Sequence, residues 1–431
     1  MVHRDPLRGR GDTTHRFLRS AFVGTYPPRQ CGIATFTADL AAAVRAKRPG
    51  PPEATWDRSE REPVVTVEIT AVDGEARGFP AEVRLRLDPN RPLDYLRIAD
   101  RLNRSALDVV ALQHEFGIYG GSDGERVVGL LEELDVPVVT TLHTVLRHPS
   151  PNQSRVLRAI ARRSSRVVVM ARTSARILNE VYGVEEGRIR VIPHGVPDLA
   201  FVDPESVKPL VGLAGREILL SFGLLGPGKG LELAIRSMTG VLEAAPAACY
   251  VILGATHPEL RRRDGEAYRR SLQALVKELD LENHVLFVDQ YVDLPTLCRW
   301  MQAADVFVTP YPGAEQATSG TLAYALAAGK ALVSTPYAYA RELLADGRGQ
   351  LVPFGDHHAL GQAIAGYLTD RNRRDAARRR AYAYGRTMTW PRVGAAYRSL
   401  FAEVASEAAG RSTASLQPRV IAEPSEATSV G

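Results

Sequence analysis

Residues 305–335 read DVFVTPYPGAEQATSGTLAYALAAGKALVST. Two β-rich apolar runs, Asp305–Pro310 and Ala331–Thr335, bracket a loop of small residues that turns helical near Ser319 and continues through Leu322–Ala328. Strand, helix and strand in about 30 residues make a parallel unit, because parallel neighbours need a crossover connection. The same alternation extends outward. On the C-terminal side follow a strand at Gly349–Pro353 and a helix at His357–Leu368. On the N-terminal side lie strands at Glu217–Gly223, Cys249–Gly254 and Val285–Asp289, with helices at Gly230–Ala244, Tyr268–Leu279 and Leu294–Ala303.

A first half repeats the pattern. Its strands are Phe17–Gly24, Val64–Ile69, Asp108–Gln113, Val136–Leu142, Arg166–Met170 and Arg188–Ile192. Its helices are Ile33–Lys47, Leu93–Ser105, Glu125–Leu134, Ser154–Arg163 and Ser174–Tyr182. Strands separated by helices imply parallel sheets covered on both faces. Pro193–Gly215 carries Pro197, Pro204 and Pro209 without a strong period and divides the halves. The expected fold class is α/β, with two Rossmann-like doubly wound parallel-sheet domains over 17–198 and 216–388 and a linker at 199–215. A cleft then opens between the carboxyl ends of the two sets of strands, where such sheets bind ligands. A flexible basic arm is expected at 1–16 and a disordered tail at 410–431.

Composition excludes several classes. At 431 residues the chain has room for more than one core, and 45% apolar with 24% charged residues is ordinary for a globular protein. Three scattered cysteines, Cys31, Cys249 and Cys298, make no disulfide framework, and no Cys-x-x-Cys or His-Glu-x-x-His marks a zinc site. The polar start is no secretory signal, and no apolar run reaches the ~18 residues of a spanning helix. A cytoplasmic location is expected, with nucleic acid not expected as a partner. A net charge of +5 is compatible with an anionic substrate or membrane surface and selects neither.

The chemistry concentrates at strand ends. In 305–335 the helix start at Thr318, Ser319, Gly320 and Thr321 offers unpaired N–H groups, hydroxyls and a positive dipole end to phosphate oxygens, or is simply a well-capped helix. Ser221–Glu232 runs from a strand through a glycine-rich turn to Lys229, placed to meet a diphosphate. The same segment matches the opening of a P-loop, with Asp289 as the acidic residue, although Gly230 stands where the Mg²⁺-binding hydroxyl belongs. Gly32 follows the first strand and precedes a helix. His114, Glu115, His143 and His194 fall at predicted strand ends and so line the cleft. There is no Asp-x-Asp to hold a divalent metal on a diphosphate.

Taken together these pieces resemble the retaining GT-B glycosyltransferases of family 4, from about Phe17 to Phe401. The carrying motifs are Cys31-Gly32-Ile33, Leu142-His143, Val191–Gly195, the turn ending at Lys229-Gly230, Ala304–Pro310 and Leu351–Asp356. The resemblance implies that His143 lies beside the donor sugar, Lys229 neutralises the diphosphate and the amides of Ser319–Thr321 cradle its distal phosphate. It also puts Tyr291 and Val292 at the nucleotide base and returns a C-terminal helix, 389–409, to the first domain. Gly32 and His194 join the donor side, with His114 and Glu115 on the acceptor side. Two departures stand out. Where the family carries Glu, seven residues, then Glu, the helix alignment gives Gln316 and Tyr324, with Glu315 one place early. Leu224 stands where an arginine often precedes the loop lysine.

The expected activity is a retaining, metal-independent transfer of a hexose from a nucleoside-diphosphate sugar to an unidentified acceptor hydroxyl, with no cofactor. A GT-B-like protein that binds without turnover and a P-loop hydrolase are the alternatives. A further expectation is peripheral membrane contact, through a stripe of Arg155, Arg158, Arg162 and Arg166 on the helix after Pro151.

Overall fold

The computed structural model describes residues 17–46, 64–75 and 78–415. The arm expected at 1–16 lies outside the described residues. The first domain runs β1 (Phe17–Gly24), α1 (Gly32–Arg45), β2 (Val64–Val72), β3 (Val83–Leu87), α2 (Pro92–Asn103) and β4 (Val109–His114). It continues with α3 (Val127–Glu133), β5 (Val138–Leu142), α4 (Pro151–Arg163), β6 (Arg166–Val169), α5 (Arg172–Tyr182) and β7 (Ile189–Val191). The second domain begins β8 (Glu217–Phe222), α6 (Leu231–Ala244), β9 (Ala248–Leu253), α7 (Pro258–Asp264), α8 (Ala267–Glu278) and β10 (Val285–Val288). After these come α9 (Leu294–Ala303), β11 (Val306–Thr309), α10 (Gly320–Ala327), β12 (Ala331–Ser334), α11 (Ala338–Leu343) and β13 (Gln350–Leu351). Helices α12 (His357–Thr369), α13 (Arg371–Gly385) and α14 (Trp390–Ser415) complete the chain.

All strand pairs are parallel, in the orders β3-β2-β1-β4-β5-β6-β7 and β10-β9-β8-β11-β12-β13. Both domains are thus doubly wound, and each sheet reverses its strand order at one place: between β1 and β4, and between β8 and β11. Ligands bind such sheets outside the carboxyl ends at that switch point. Gly32, Lys229 and Ser319 follow β1, β8 and β11, and His114 is the last residue of β4. The switch points therefore take in part of the set singled out above.

The central strands are continuous apolar runs because both faces are covered. Phe22, Ile69 and Val139 pack on one face of the first sheet, and Ala21, Leu112 and Val110 on the other. α14 seals the first face. Its Val393, Tyr397, Phe401 and Val404 enter that core, and the Tyr397 hydroxyl meets Thr141 Oγ1 at 2.8 Å. The disordered tail expected from Gly410 is corrected in part: helix α14 continues through 410–415, and 416–431 lie outside the described residues.

Segment 199–215 is anchored to the second domain. Lys208 is 1% exposed and its Nζ lies 2.8 Å from the Asp305 carboxylate, which also accepts the Ile218 amide at 2.7 Å. The two chain crossings between domains touch each other. Val196 N–H donates to Met388 O and Trp390 N–H to Val196 O, both at 3.0 Å. Gly195 is required at this crossing, since a Cβ there would stand 2.1 Å from the Trp390 ring.

Candidate active site

The N-terminal wall is built on β1, β4 and β5. β4 and β5 pair His114 with Leu142, so the residues following them arrive side by side. His143 Nε2 hydrogen-bonds Gln113 Oε1 at 3.1 Å. Phe36 of α1 packs edge-on against both His143, at 4.8 Å, and His194, at 5.0 Å. Burial, reinforced by His194 and His114, lowers His143 to about 3, and burial lowers His194 to about 4. Both imidazoles are therefore neutral at ordinary pH and act as hydrogen-bonding groups, not as cations. His194 Nδ1 is engaged by Gly195 O at 2.7 Å, and its Nε2 lies 2.9 Å from where a Cβ on Gly320 would sit. That contact brings the last loop of the first domain against the start of α10.

The C-terminal wall is built on β8 and β11. The turn after β8 is a 3-10 turn, Pro227–Lys229, followed by Gly230 at φ 59°, and α6 opens at Leu231, one residue later than the sequence reading placed it. Lys229 Nζ donates to the Tyr311 hydroxyl at 3.1 Å and lies 4.6 Å from that ring. Tyr311 Oη is 2.9 Å from Thr321 Oγ1, and Thr321 Oγ1 is 3.1 Å from Ser319 Oγ. Ser319 caps α10, its Oγ accepting the Leu322 amide at 3.3 Å. Lys229, Ser319, Gly320 and Thr321 thus converge, as do His143 and His194 across from them. A cation, two hydroxyls and a helix N-terminus form a site for anionic oxygens. Asp289, the carboxylate of the P-loop alternative, is instead occupied by Arg269 at 2.6 Å.

Other expected site residues lie further out. Gln316 is exposed and its amide folds back to Thr318 O at 2.7 Å. Glu315 faces His148 of the opposite domain at 3.7 Å. Gly32 opens α1 with no atom within 4 Å of an added Cβ, leaving room for a ligand. Glu115 is held by Thr144 Oγ1 at 2.6 Å and the Phe116 amide at 2.9 Å, and burial raises its carboxyl. His114 is fully buried with neither ring nitrogen hydrogen-bonded, and burial lowers it to about 3. Val292 is half-buried beside the second core.

Two tyrosines behave differently from the sequence expectation. Tyr324, which stands where the family carries its second Glu, is 7% exposed and its hydroxyl donates to Asp39 Oδ2 of α1 at 3.2 Å. Tyr291, aligned with the base contact, meets Thr35 Oγ1 of α1 at 3.1 Å. Thr35 and Asp39 are one helical turn apart, so one face of α1 holds both. Phe36, Asp39 and Tyr311 were not singled out from the sequence. Asp39 leaves no signal there because its partner comes from the other domain.

Burial raises Asp39 from 3.8 to about 6, partly offset by the Tyr324 hydrogen bond. Opening the cleft rehydrates the carboxyl and returns it toward its ordinary value. The closed form therefore holds the proton more tightly, so its contribution to closure is full below about pH 4, is lost progressively as pH rises to about 6, and is gone above that. Solution scattering without ligand should give a larger radius above pH 7 than at pH 5, and Asp39→Asn should remove the difference. A radius independent of pH in the unsubstituted protein would count against the latch.

The arginine stripe is corrected. α4 ends at Arg163, and Arg166 opens β6, where it pairs with Glu403 at 2.7 Å and with Glu407. Arg155 is engaged by Glu125 at 2.5 Å, and Arg158 donates to Val181 O at 2.8 Å. The spacing runs on past Ser164, but the extended backbone there (ψ 133°) ends the helix. Among the described residues no helix is long and apolar enough to cross a membrane.

Two family models match the chain in tandem: glycosyltransferase family 4 over residues 32–198 and glycosyl transferases group 1 over 205–384. The chain resembles the family 4 glycosyltransferases and has the GT-B fold. Among relatives of this GT-B chain, a phosphatidyl-myo-inositol mannosyltransferase of Mycolicibacterium smegmatis is 31% identical over 42% of this chain and 42% of its own length. A D-inositol 3-phosphate glycosyltransferase of Xylanimonas cellulosilytica is 26% identical over 63% of this chain and 67% of its own. The first of these matches spans less than half of that relative. Among solved structures, Anabaena Alr3699/HepE in complex with UDP superposes with a TM-score of 0.68 at 18% identity, covering 90% of this chain and all (100%) of that one. Sucrose-phosphate synthase from Thermosynechococcus elongatus gives 0.71 at 17%, covering 90% and 100%. At such identities these two structures bear on the fold alone.

Proposed function

We propose that this chain transfers a hexose from a nucleoside-diphosphate sugar to an acceptor hydroxyl with retention of anomeric configuration and without a metal. The observation that carries the reading is the convergence of Lys229, Ser319 and Thr321 at the start of α10, opposite neutral His143 and His194. Among the described residues no group of three or more His, Cys, Asp or Glu is arranged to hold a metal ion. In this reading charge on the departing diphosphate is met by Lys229 and by the amides and hydroxyls of α10. The bond from the anomeric carbon to the phosphate oxygen breaks. A bond to the acceptor oxygen forms on the same face, and the acceptor proton passes to the departing phosphate oxygen. His143, fixed by Gln113 and Phe36, orients the donor sugar by hydrogen bonding, and positioning is most of the protein's contribution. The names of the relatives favour phosphatidyl-myo-inositol and D-inositol 3-phosphate as the first acceptors to try.

Thermal-shift screening with UDP-, GDP- and ADP-sugars in EDTA tests the donor class, because a binder of the native state raises its melting point by mass action. Stabilisation by one of the three is expected. Stabilisation by none, with Mg²⁺-dependent hydrolysis of ATP or GTP instead, would return the P-loop reading. Binding with no release of nucleoside diphosphate in the presence of any acceptor would favour a non-catalytic binder, which the latched Tyr324 and the amide at Gln316 make the second reading.

Position 316 gives a separate test. If Gln316 hydrogen-bonds a sugar hydroxyl, Gln316→Ala should lower turnover while Glu315→Ala, which faces His148, changes it little. Initial rates of both variants decide. The reverse ranking would show that Glu315 fills the role.

A further inference from the structure

Tyr311 occupies the position after Pro310, in the loop between β11 and α10, and is 5% exposed. Its ring cannot swing away. Tyr337 stacks on it at 5.1 Å and 16°, and its backbone carbonyl accepts Thr335 Oγ1 at 2.6 Å. Its hydroxyl is therefore a fixed point, and the flexible Lys229 reaches it at 3.1 Å. An ammonium has no acceptor capacity, so Lys229 can only donate to the tyrosine oxygen. The tyrosine proton is then free to go to Thr321 Oγ1 at 2.9 Å, and the Thr321 proton to Ser319 Oγ at 3.1 Å. Ser319 Oγ already accepts the Leu322 amide, at 3.3 Å. In this arrangement the Ser319 hydroxyl proton is the one that the Tyr311–Thr321–Ser319 chain does not use.

We propose that Tyr311 is the positioning residue of the phosphate site: it parks the Lys229 ammonium beside α10 and, through Thr321, orients the Ser319 hydroxyl as a donor toward a diphosphate. This rests on the reading of Lys229 and α10 as the diphosphate grip, and it adds a residue from the neighbouring loop that fixes their geometry. The titratable groups near the Tyr311 hydroxyl are Lys229, Tyr337 and Tyr250. Of these, the lysine is charged at neutral pH. Burial pushes the Tyr311 hydroxyl up. The Lys229 charge and the hydrogen bonds from Thr321, Lys229 and Ser319 outweigh it, leaving the group below its ordinary range. Raising the pH thus creates a tyrosinate that neutralises Lys229 and repels phosphate before an isolated tyrosine would ionise.

The test uses inorganic pyrophosphate, which carries the diphosphate without a base, titrated calorimetrically into the full chain. Tyr311→Phe keeps the ring, its stacking and its contact with the lysine, and removes the hydroxyl. It should weaken pyrophosphate binding about tenfold. In a Lys229→Ala background the same change should cost clearly less than it does alone, because the part of its action that runs through the lysine is already gone. Binding to the unsubstituted protein should fall at alkaline pH, and Tyr311→Phe should move that fall to higher pH. Thr321→Val, which leaves the tyrosine in place and cuts the next link, should weaken binding in the same direction and guards against a folding defect in the first variant. If Lys229→Ala weakens binding but Tyr311→Phe binds as the unsubstituted protein does, or its loss adds fully to that of Lys229→Ala, the role of Tyr311 is overturned and the grip stands. If Lys229→Ala itself leaves pyrophosphate binding unchanged, the grip is wrong and the role of Tyr311 falls with it.

Discussion

Replacing Lys229 with alanine is expected to weaken nucleoside-diphosphate binding by roughly ten- to a hundredfold while leaving the melting temperature near that of the unsubstituted protein. Hydrogen bonds to charged groups contribute about 1.5–3 kcal/mol, and this lysine has no carboxylate partner among the described residues. Its side-chain hydrogen bond among the described residues is to Tyr311, and the lysine itself lies at the edge of the cleft, outside the apolar cores. The expectation holds for whichever nucleotide stabilises the protein in the donor screen, because the phosphates are common to all. Calorimetric titration checks it. Unchanged affinity would remove Lys229 from the site.

A larger effect is expected at the next residue. Gly230 has φ 59°, and an added Cβ would stand 2.2 Å from the Pro310 carbonyl oxygen. The left-handed backbone alone costs a non-glycine residue roughly 1–2 kcal/mol, and the collision is with backbone, which cannot rotate aside. Gly230→Ala must therefore push the β8–α6 turn away from the β11–α10 loop, separating Lys229 from Tyr311 and the α10 start. Nucleotide binding should be lost and the melting temperature should fall. Gly228→Ala, two residues earlier in the same turn, meets nothing within 4 Å and is the matched control. The comparison is made by thermal melting with and without nucleotide. If the two variants behave alike, the close approach of these loops is not what holds the site.

Much of this could be read in the sequence, for a physical reason. Strands buried on both faces must be apolar throughout, so β1, β8 and β9 announce themselves. β3 does not: it is an edge strand in which Arg84 and Arg86 alternate with Val83, Leu85 and Leu87. Helix α13 was equally silent. It packs through Ala377, Ala381 and Arg378, whose buried guanidinium donates to Gly329 O at 3.0 Å and Val202 O at 2.7 Å, and such small or polar residues leave no apolar stripe. Lys229 and Ser319 were legible because glycine and small residues mark loops that approach closely. Tyr324 and Tyr291 were placed by alignment within one domain, yet their hydroxyls bond Asp39 and Thr35 of the other. Contacts between domains depend on how two separately folded units meet, and no local periodicity encodes that. The arginine stripe failed for a related reason: spacing shows which residues share a face only while the helix lasts, and α4 stops at Arg163.

The most direct test of the central claim uses water as the acceptor, which removes the unidentified one. The nucleoside-diphosphate α-hexose that best stabilises the protein is incubated with it in EDTA, and the released sugar is followed by proton NMR before mutarotation. The predicted result is slow release of α-hexose together with nucleoside diphosphate, abolished in Lys229→Ala. Release of β-hexose, or release only after a divalent metal is restored, would contradict it.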